Sequence, residues 1–260
     1  MSAPSLIDSH CHLDFESFDS DRIEVMLRAK ENDISDIVIP GTEKIYWDRI
    51  KNLCAKNTPE LPRLHACYGL HPYWASEHSR LDIESLNEYI SANRPIAIGE
   101  CGLDFRVQQT DKKTQLYFFE AQLDIAAQNQ LPVVIHSVRA TETVIEILKK
   151  HKNLSGMIHS YSGSIEQAKQ LIDLNFYISV GGSVTYDSAK KIKHVVKHIP
   201  LTSLLIETDA PDQPDQQHAG KRNEPAYLTN TLDMISQLTG EPRANIARQT
   251  TSNAKDLFKI

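Results

Sequence analysis

Short apolar runs alternate with longer amphipathic stretches along this chain, and that alternation limits the fold more than any other feature. Eight runs read as strands: Leu6–His10, Ile34–Ile39, Leu64–Tyr68, Ile96–Gly99, Val133–Ile135, Gly156–Ile158, Phe176–Val180 and Leu204–Ile206. Helical patterns fall between them, among them Asp21–Glu31, Lys112–Asn129, Thr141–Lys150, Ser164–Leu174 and Ser188–His198. Two more, Pro225–Leu238 and Arg243–Phe258, are joined around Gly240. Thr141 and Ser164 are expected N-caps, and Pro200 ends the helix before it.

Strands alternating with helices imply parallel pairing with both sheet faces covered. The strands are short and apolar throughout, which fits burial on two sides. The two outcomes are a closed barrel and an open doubly wound sheet. A dinucleotide-binding sheet would bring Gly-x-Gly-x-x-Gly after its first strand. Here the first strand runs into His10, Cys11, His12, Leu13 and Asp14, with no glycine. The chain has 260 residues, and a (β/α)8 barrel takes about 250. The expected fold is therefore α/β, a TIM-like (β/α)8 barrel formed by residues 1–260 as a single domain. No internal repeat, low-complexity tract or linker interrupts it.

The composition excludes several classes. Hydrophobic residues make up 40% and charged residues 24% of the chain, which is globular composition and excludes global disorder, collagen and coiled coil. The net charge of −6 gives no broad attraction for phosphate, so a nucleic acid would have to be held by local patches or metal ions. No apolar run approaches the roughly 18 residues of a membrane span, so no membrane partner is expected. The first residues show no basic and apolar leader. The four cysteines, Cys11, Cys54, Cys67 and Cys101, form no Cys-x-x-Cys pair. Together these features predict a cytoplasmic protein with reduced thiols. No segment marks an obligate protein partner.

The polar residues cluster at the carboxyl ends of the strands. These clusters are Asp8-Ser-His10-Cys-His12, Gly69-Leu-His71-Pro72, Gly99-Glu100-Cys-Gly102-Leu-Asp104, His136-Ser137, His159-Ser160 and Glu207-Thr208-Asp209. In a barrel those ends share one face, where active sites sit. His10 and His12 are two residues apart, so on an extended strand both imidazoles face the same side. Cys11 then faces away and packs. Glu100, His136, His159 and Asp209 join them on the same predicted face. A carboxylate at the end of a buried strand is costly unless it is paired or metal-bound. Four imidazoles and two carboxylates exceed what one tetrahedral ion needs. The count points to two divalent ions with one carboxylate between them, Mg²⁺, Mn²⁺ and Zn²⁺ being the candidates. Trp47, Trp74 and the tyrosines show no stripe that reads as a base-stacking platform.

The ordered set of motifs resembles the TatD-type metal-dependent hydrolases of the wider amidohydrolase-like barrels. It comprises Asp-Ser-His10-Cys-His12, Gly-Leu-His71-Pro, Ile-Gly-Glu100-Cys-Gly-Leu-Asp104-Phe, Val-Ile-His136-Ser, Met-Ile-His159-Ser-Tyr-Ser-Gly, Leu-Leu-Ile-Glu-Thr-Asp209-Ala-Pro and Gly220-Lys-Arg222-Asn-Glu-Pro-Ala-Tyr-Leu. The resemblance implies that His10 and His12 bind a first ion and His136 and His159 a second. It further implies that Glu100 bridges them, and that Asp209 completes the coordination of the first ion and handles the proton of the attacking water. Many binuclear amidohydrolases place a carboxylated lysine where this chain has Glu100, so the TatD branch fits better than the lactonase or phosphotriesterase branch. Many relatives also carry Arg directly after His-Ser, whereas this chain has Val138-Arg139.

The family includes deoxyribonucleases of the 3′-to-5′ exonuclease type, which makes DNA ends or single strands the expected substrate. In that chemistry a metal-bridged hydroxide attacks phosphorus, with Asp209 as base. His71 is a candidate donor to a phosphate oxygen or to the leaving group. Arg139, Lys221 and Arg222 are candidate phosphate contacts, while Asp104 and Asp8 are candidates to orient ligand histidines. The same centre would also serve a hydrolase of a carboxylic ester, amide or lactone. A metal-binding scaffold or nucleic-acid-binding partner without turnover is disfavoured by the intact Glu100 and Asp209.

Overall fold

A computed structural model of the chain describes residues 4–106 and 111–260. Eight parallel strands lie in chain order in one sheet. They are β1 (Leu6–Asp8), β2 (Ile34–Ile39), β3 (Arg63–Tyr68), β4 (Ala97–Asp104), β5 (Val133–Val138), β6 (Gly156–Ile158), β7 (Phe176–Val180) and β8 (Leu204–Ile206). Just beyond β8 and β1, Ser9 N–H donates to Ile206 O at 3.1 Å and Asp209 N–H to His10 O at 2.8 Å. These bonds bring the last strand against the first, so the sheet curls into the expected barrel.

The described helices are α1 (Arg22–Glu31), α2 (Trp47–Cys54), α3 (Arg80–Asn93), α4 (Lys112–Asn129), α5 (Thr141–Leu148), α6 (Ile165–Asp173), α7 (Lys190–His198), α8 (Leu228–Thr239) and α9 (Arg243–Phe258). Seven fill the crossovers between strands, α8 follows β8, and α9 packs back on β1 and β8. Ser164 caps α6 as expected, its hydroxyl accepting from Gln167 N–H while the Gln167 side chain returns to Ser164 N–H. The N-cap of α5 is Ala140, and Thr141 is its first helical residue. The helices α2 and α3 occupy segments for which the sequence pattern names none.

Strand periodicity divides the core in two. Ile7, Val38, Cys67, Ala97, Val134, Met157 and Leu205 form one buried cluster, which Leu257 and Phe258 of α9 join. Their strand neighbours, such as Ile37, Ile39, Val133 and Ile135, belong to the larger cluster that includes the helices. One residue set thus fills the barrel and the alternate set carries the helical layer.

Two strands run further than their apolar runs suggest. β4 continues through Glu100 to Asp104 and β5 through His136 to Val138, because the sheet keeps pairing these polar residues after the hydrophobic signal has ended. The register of β4 against β5 shifts between Ile98 and Cys101, a bulge that re-aims the strand around Glu100. Gly102 follows with φ of +137°, and a Cβ there would lie 2.1 Å from His136 O. The close approach of β4 to β5 requires glycine at this point. Gly102→Ala is expected to lower stability by about 2–4 kcal/mol, combining backbone strain with overpacking. Equilibrium urea unfolding measures this loss.

Candidate metal centre

His10 and His12 follow β1 on a segment tied to both neighbouring strands. Ser9 N–H reaches Ile206 O, Cys11 N–H reaches Val38 O at 3.0 Å, and His12 N–H reaches Ala210 O at 2.8 Å. Held extended in this way, the segment turns both imidazoles to one side although β1 itself ends at Asp8. Their Nε2 atoms lie 3.2 Å apart. Cys11 is fully buried in the hydrophobic core.

Glu100 stands at the middle of the site, almost wholly buried. Its Oε2 is 3.2 Å from His10 Nε2 and 3.3 Å from His12 Nε2. Its Oε1 is 2.8 Å from His159 Nε2, 2.9 Å from His136 Nδ1 and 3.0 Å from His71 Nε2. Asp209 Oδ1 approaches the first pair, 3.4 Å from His10 Nε2 and 3.7 Å from His12 Nε2. His136 Nδ1 and His159 Nε2 are 3.1 Å apart. One carboxylate therefore offers each of its oxygens to a separate group of histidines.

The donor set fits divalent cations. Nitrogen and oxygen ligands sit about 2.0–2.2 Å from an ion such as Zn²⁺, which puts neighbouring ligand atoms at separations like those seen here. Two imidazole lone pairs cannot face each other at such distances without a proton or a cation between them. Glu100 Oε2 is also buried without a hydrogen-bond partner, an uncompensated acceptor of the kind a metal satisfies. Three sets of donor atoms lie close enough together to hold a metal ion: His10, His12 and Asp209; His10, Glu100 and His159; and His71, Glu100 and His136.

Electrostatics centre on the same carboxylate. Burial pushes Glu100 up, but His159, His71 and His10 outweigh it and hold the group well below the usual carboxylate range. Burial pulls His12 down, yet Glu100 and Asp209 raise it to about 9. His71 is the contrary case: burial lowers it to about 4 in spite of Glu100, so its imidazole is neutral near pH 7. His71 Nδ1 accepts Tyr73 N–H at 3.0 Å. The single proton of the neutral ring is then on Nε2, which donates to Glu100. This tautomer sets His71 apart from the ligand histidines.

A surrounding layer fixes the other rings. Asp104 Oδ2 lies 3.2 Å from His136 Nε2, so His136 keeps its proton on Nε2 and turns the Nδ1 lone pair inward. His159 Nδ1 has Glu207 Oε1 3.7 Å away. Glu207 is itself held by Ser160 N–H and the Ser179 hydroxyl. It belongs to the polar group after the eighth strand, and that position was the available sequence signal for it. Asp8 behaves differently from the expectation that it orients a ligand ring. It accepts Thr208 N–H at 2.9 Å and the Thr208 hydroxyl at 2.5 Å, with His10 N–H at 3.3 Å. It therefore ties the backbone of the two segments that carry His10 and Asp209. Burial pushes Asp8 up to about 7.

The centre opens into a cleft of about 740 Å3 that reaches His12, Glu100, His136, His159 and Asp209. The expected phosphate cations do not line it. Arg222 is drawn to α1, where it pairs with both oxygens of Asp21 at 2.8 and 2.6 Å and donates to Ser17 O. Arg139 is exposed with φ of +53°, while Val138 takes the place on the cleft wall. Lys221 is exposed in the segment between β8 and α8. The cleft brings in Arg106, Tyr73, Trp74 and Phe15 instead. Phe15 stacks on His12, with ring centroids 4.6 Å apart.

A sequence model of the family described as TatD related DNase matches residues 7–259. The chain belongs to this family. It is 38% identical over 257 residues to the uncharacterized metal-dependent hydrolase YabD of Bacillus subtilis, covering 98% of this chain and 99% of that one. It is 34% identical to the uncharacterized metal-dependent hydrolase YjjV of Escherichia coli, covering 98% of each. The crystal structure of YjjV, a TatD homolog, superposes with a TM-score of 0.90 at 33% identity over 98% of both chains. A phosphotriesterase homology protein of Escherichia coli shares the fold at 14% identity, with a TM-score of 0.71. The protein is a metal-dependent hydrolase of the TatD family. No helix among the described residues is long and apolar enough to cross a membrane.

Asp104→Ala is expected to weaken metal binding about 10- to 100-fold by freeing the His136 ring. Competition against a chelating indicator measures this, with circular dichroism confirming the fold.

Proposed function

We propose that this hydrolase cleaves phosphodiester bonds of DNA, removing nucleotides from single-stranded 3′ ends, and that it carries two divalent ions per chain. The observation that supports this reading most is the division of Glu100 between two histidine groups, with Asp209 beside one of them at the cleft. A phosphodiester is a poor electrophile because its oxygens repel an anionic nucleophile. When bound, two divalent ions supply an acidified water and positive charge for the phosphoryl and departing oxygens.

The protein residues do the rest. Glu100, His10, His12, His136, His159 and Asp209 hold the ions. Asp209 takes the proton of the attacking water on Oδ1, while its Oδ2 is fixed by the Gln213 amide. The Asp209 side chain is 10% exposed against 1% for Glu100, so Asp209 is the carboxylate that can pass a proton on to solvent. The Nε2 proton of His71, held on Glu100 at 3.0 Å in the free site, is the one His71 would share with a phosphoryl oxygen or the leaving oxygen. The family name favours DNA as the substrate, and the donor set suits phosphodiester hydrolysis.

The test is cleavage of a 5′-labelled single-stranded DNA by metal-stripped protein restored with Mg²⁺, Mn²⁺ or Zn²⁺ in turn. A ladder shortening from the 3′ end is expected. Glu100→Ala is expected to abolish it, and Asp209→Asn to lower kcat about 100-fold or more with metal still bound. Full turnover by fully metallated Asp209→Asn rejects the proton role. Absence of cleavage with every ion, together with turnover of a carboxylic ester or lactone, moves the substrate to that class.

A further inference from the structure

Arg106, Tyr73 and Trp74 line one cleft, carried by the segments that follow β4 and β3. Among the described residues lining it, Arg106 is the one lysine or arginine, and Glu100, Asp209 and Asp212 are its acidic groups. Its guanidinium is held in a fixed pose. Nη2 donates to Asp104 Oδ2 at 2.9 Å and Nε to Asp104 Oδ1 at 3.3 Å. Those bonds use one edge of a planar group with five N–H donors, so the Nη1 side can address a second acceptor. A planar fork of this kind matches phosphate oxygens pairwise. Through Asp104 the guanidinium is also two hydrogen bonds from His136, which fixes its position relative to the reacting centre.

Tyr73 is 57% exposed, a large ring left open on the wall of a catalytic cleft. Trp74 backs it edge-on, with centroids 5.0 Å apart, and Trp74 in turn meets the ring of His71 at 5.3 Å. An exposed aromatic ring supported by a second one suits a flat, unpaired partner. These rings are three residues or fewer from each other and from His71, yet they form no periodic stripe, so only the turn after β3 reveals them as a surface.

We propose that this wall is the nucleotide-recognition edge of the site: Arg106 takes a phosphate of the substrate, and Tyr73, backed by Trp74, carries an unpaired base. The inference rests on the phosphodiesterase reading and sharpens it. A base within a duplex has both faces covered by its neighbours, so this edge selects single-stranded, base-bearing ends.

The test uses the metal-loaded full chain and two single-stranded oligonucleotides differing only at the terminal residue. One ends in thymidine and the other in a baseless tetrahydrofuran residue. The wild type is expected to cleave the thymidine end with kcat/KM about tenfold higher, and Tyr73→Ala to bring that ratio to about one. Arg106→Gln is expected to raise KM on both substrates about tenfold and to weaken inhibition by inorganic phosphate by a similar factor. Its kcat should change far less, and its metal content should match the wild type. Arg106→Lys, which restores charge without the fork, should fall between the two.

Equal wild-type rates on the two ends overturn the base platform. Loss of bound metal in Arg106→Gln overturns the phosphate role, because Arg106 would then act only by holding Asp104 and His136. If the wild type cleaves neither oligonucleotide with any ion, the phosphodiester reading fails separately. Calorimetric binding of inorganic phosphate to the metal-loaded protein then decides the anion site. An affinity weakened about tenfold in Arg106→Gln supports it, and an unchanged affinity overturns it.

Discussion

Everything at the mouth of this barrel depends on one buried carboxylate. Glu100 is 1% exposed, and five imidazoles from four different segments come within 3.3 Å of its two oxygens. A lone carboxylate in that position would be strongly unfavourable. Surrounding histidines offset part of the cost, and cations between the facing donors would remove most of the rest. The folded chain therefore presents a donor set that metal would complete, and any ion that binds the folded form alone also stabilises it.

The centre depends in turn on groups that touch no reacting atom. Asp104 fixes the tautomer of His136, and Glu207 lies beside the outer nitrogen of His159. Asp8 ties the backbones that carry His10 and Asp209 through Thr208. The bulge in β4 and the glycine contact with β5 set where Glu100 stands relative to His136. A ring that turned or a strand that slipped by one residue would separate ligand atoms that now lie about 3 Å apart.

Charge placement in the cleft follows from the same economy of positions. The chain is acidic overall, and two of its loop cations are neutralised or displaced away from the centre. Arg222 answers Asp21 just before α1, and Arg139 stands outside the wall. Arg106 is the cation that the fold keeps at the cleft, because Asp104 is anchored on the other side by His136. A hydrolase with this distribution draws little on long-range attraction. An anionic substrate of the kind proposed would meet its cation only inside the cleft.

The sequence by itself determined the barrel, the face on which the histidines and carboxylates gather, and the residue types found there. Strand period and the polar residues that follow each apolar run are local properties, and His10, His12, Glu100, His136, His159 and Asp209 all stand at or just past the end of a legible apolar run. Helices α2 and α3, the full length of β4 and β5, and the cap of α5 were not legible, because pairing and packing with distant segments set them. Tertiary structure alone decided which oxygen of Glu100 faces which histidines, that His71 carries its proton inward, and that Arg106 rather than Arg139, Lys221 or Arg222 lines the cleft. Those outcomes depend on how loops close over a curved sheet and which charges meet there. A spacing along the chain carries no record of either.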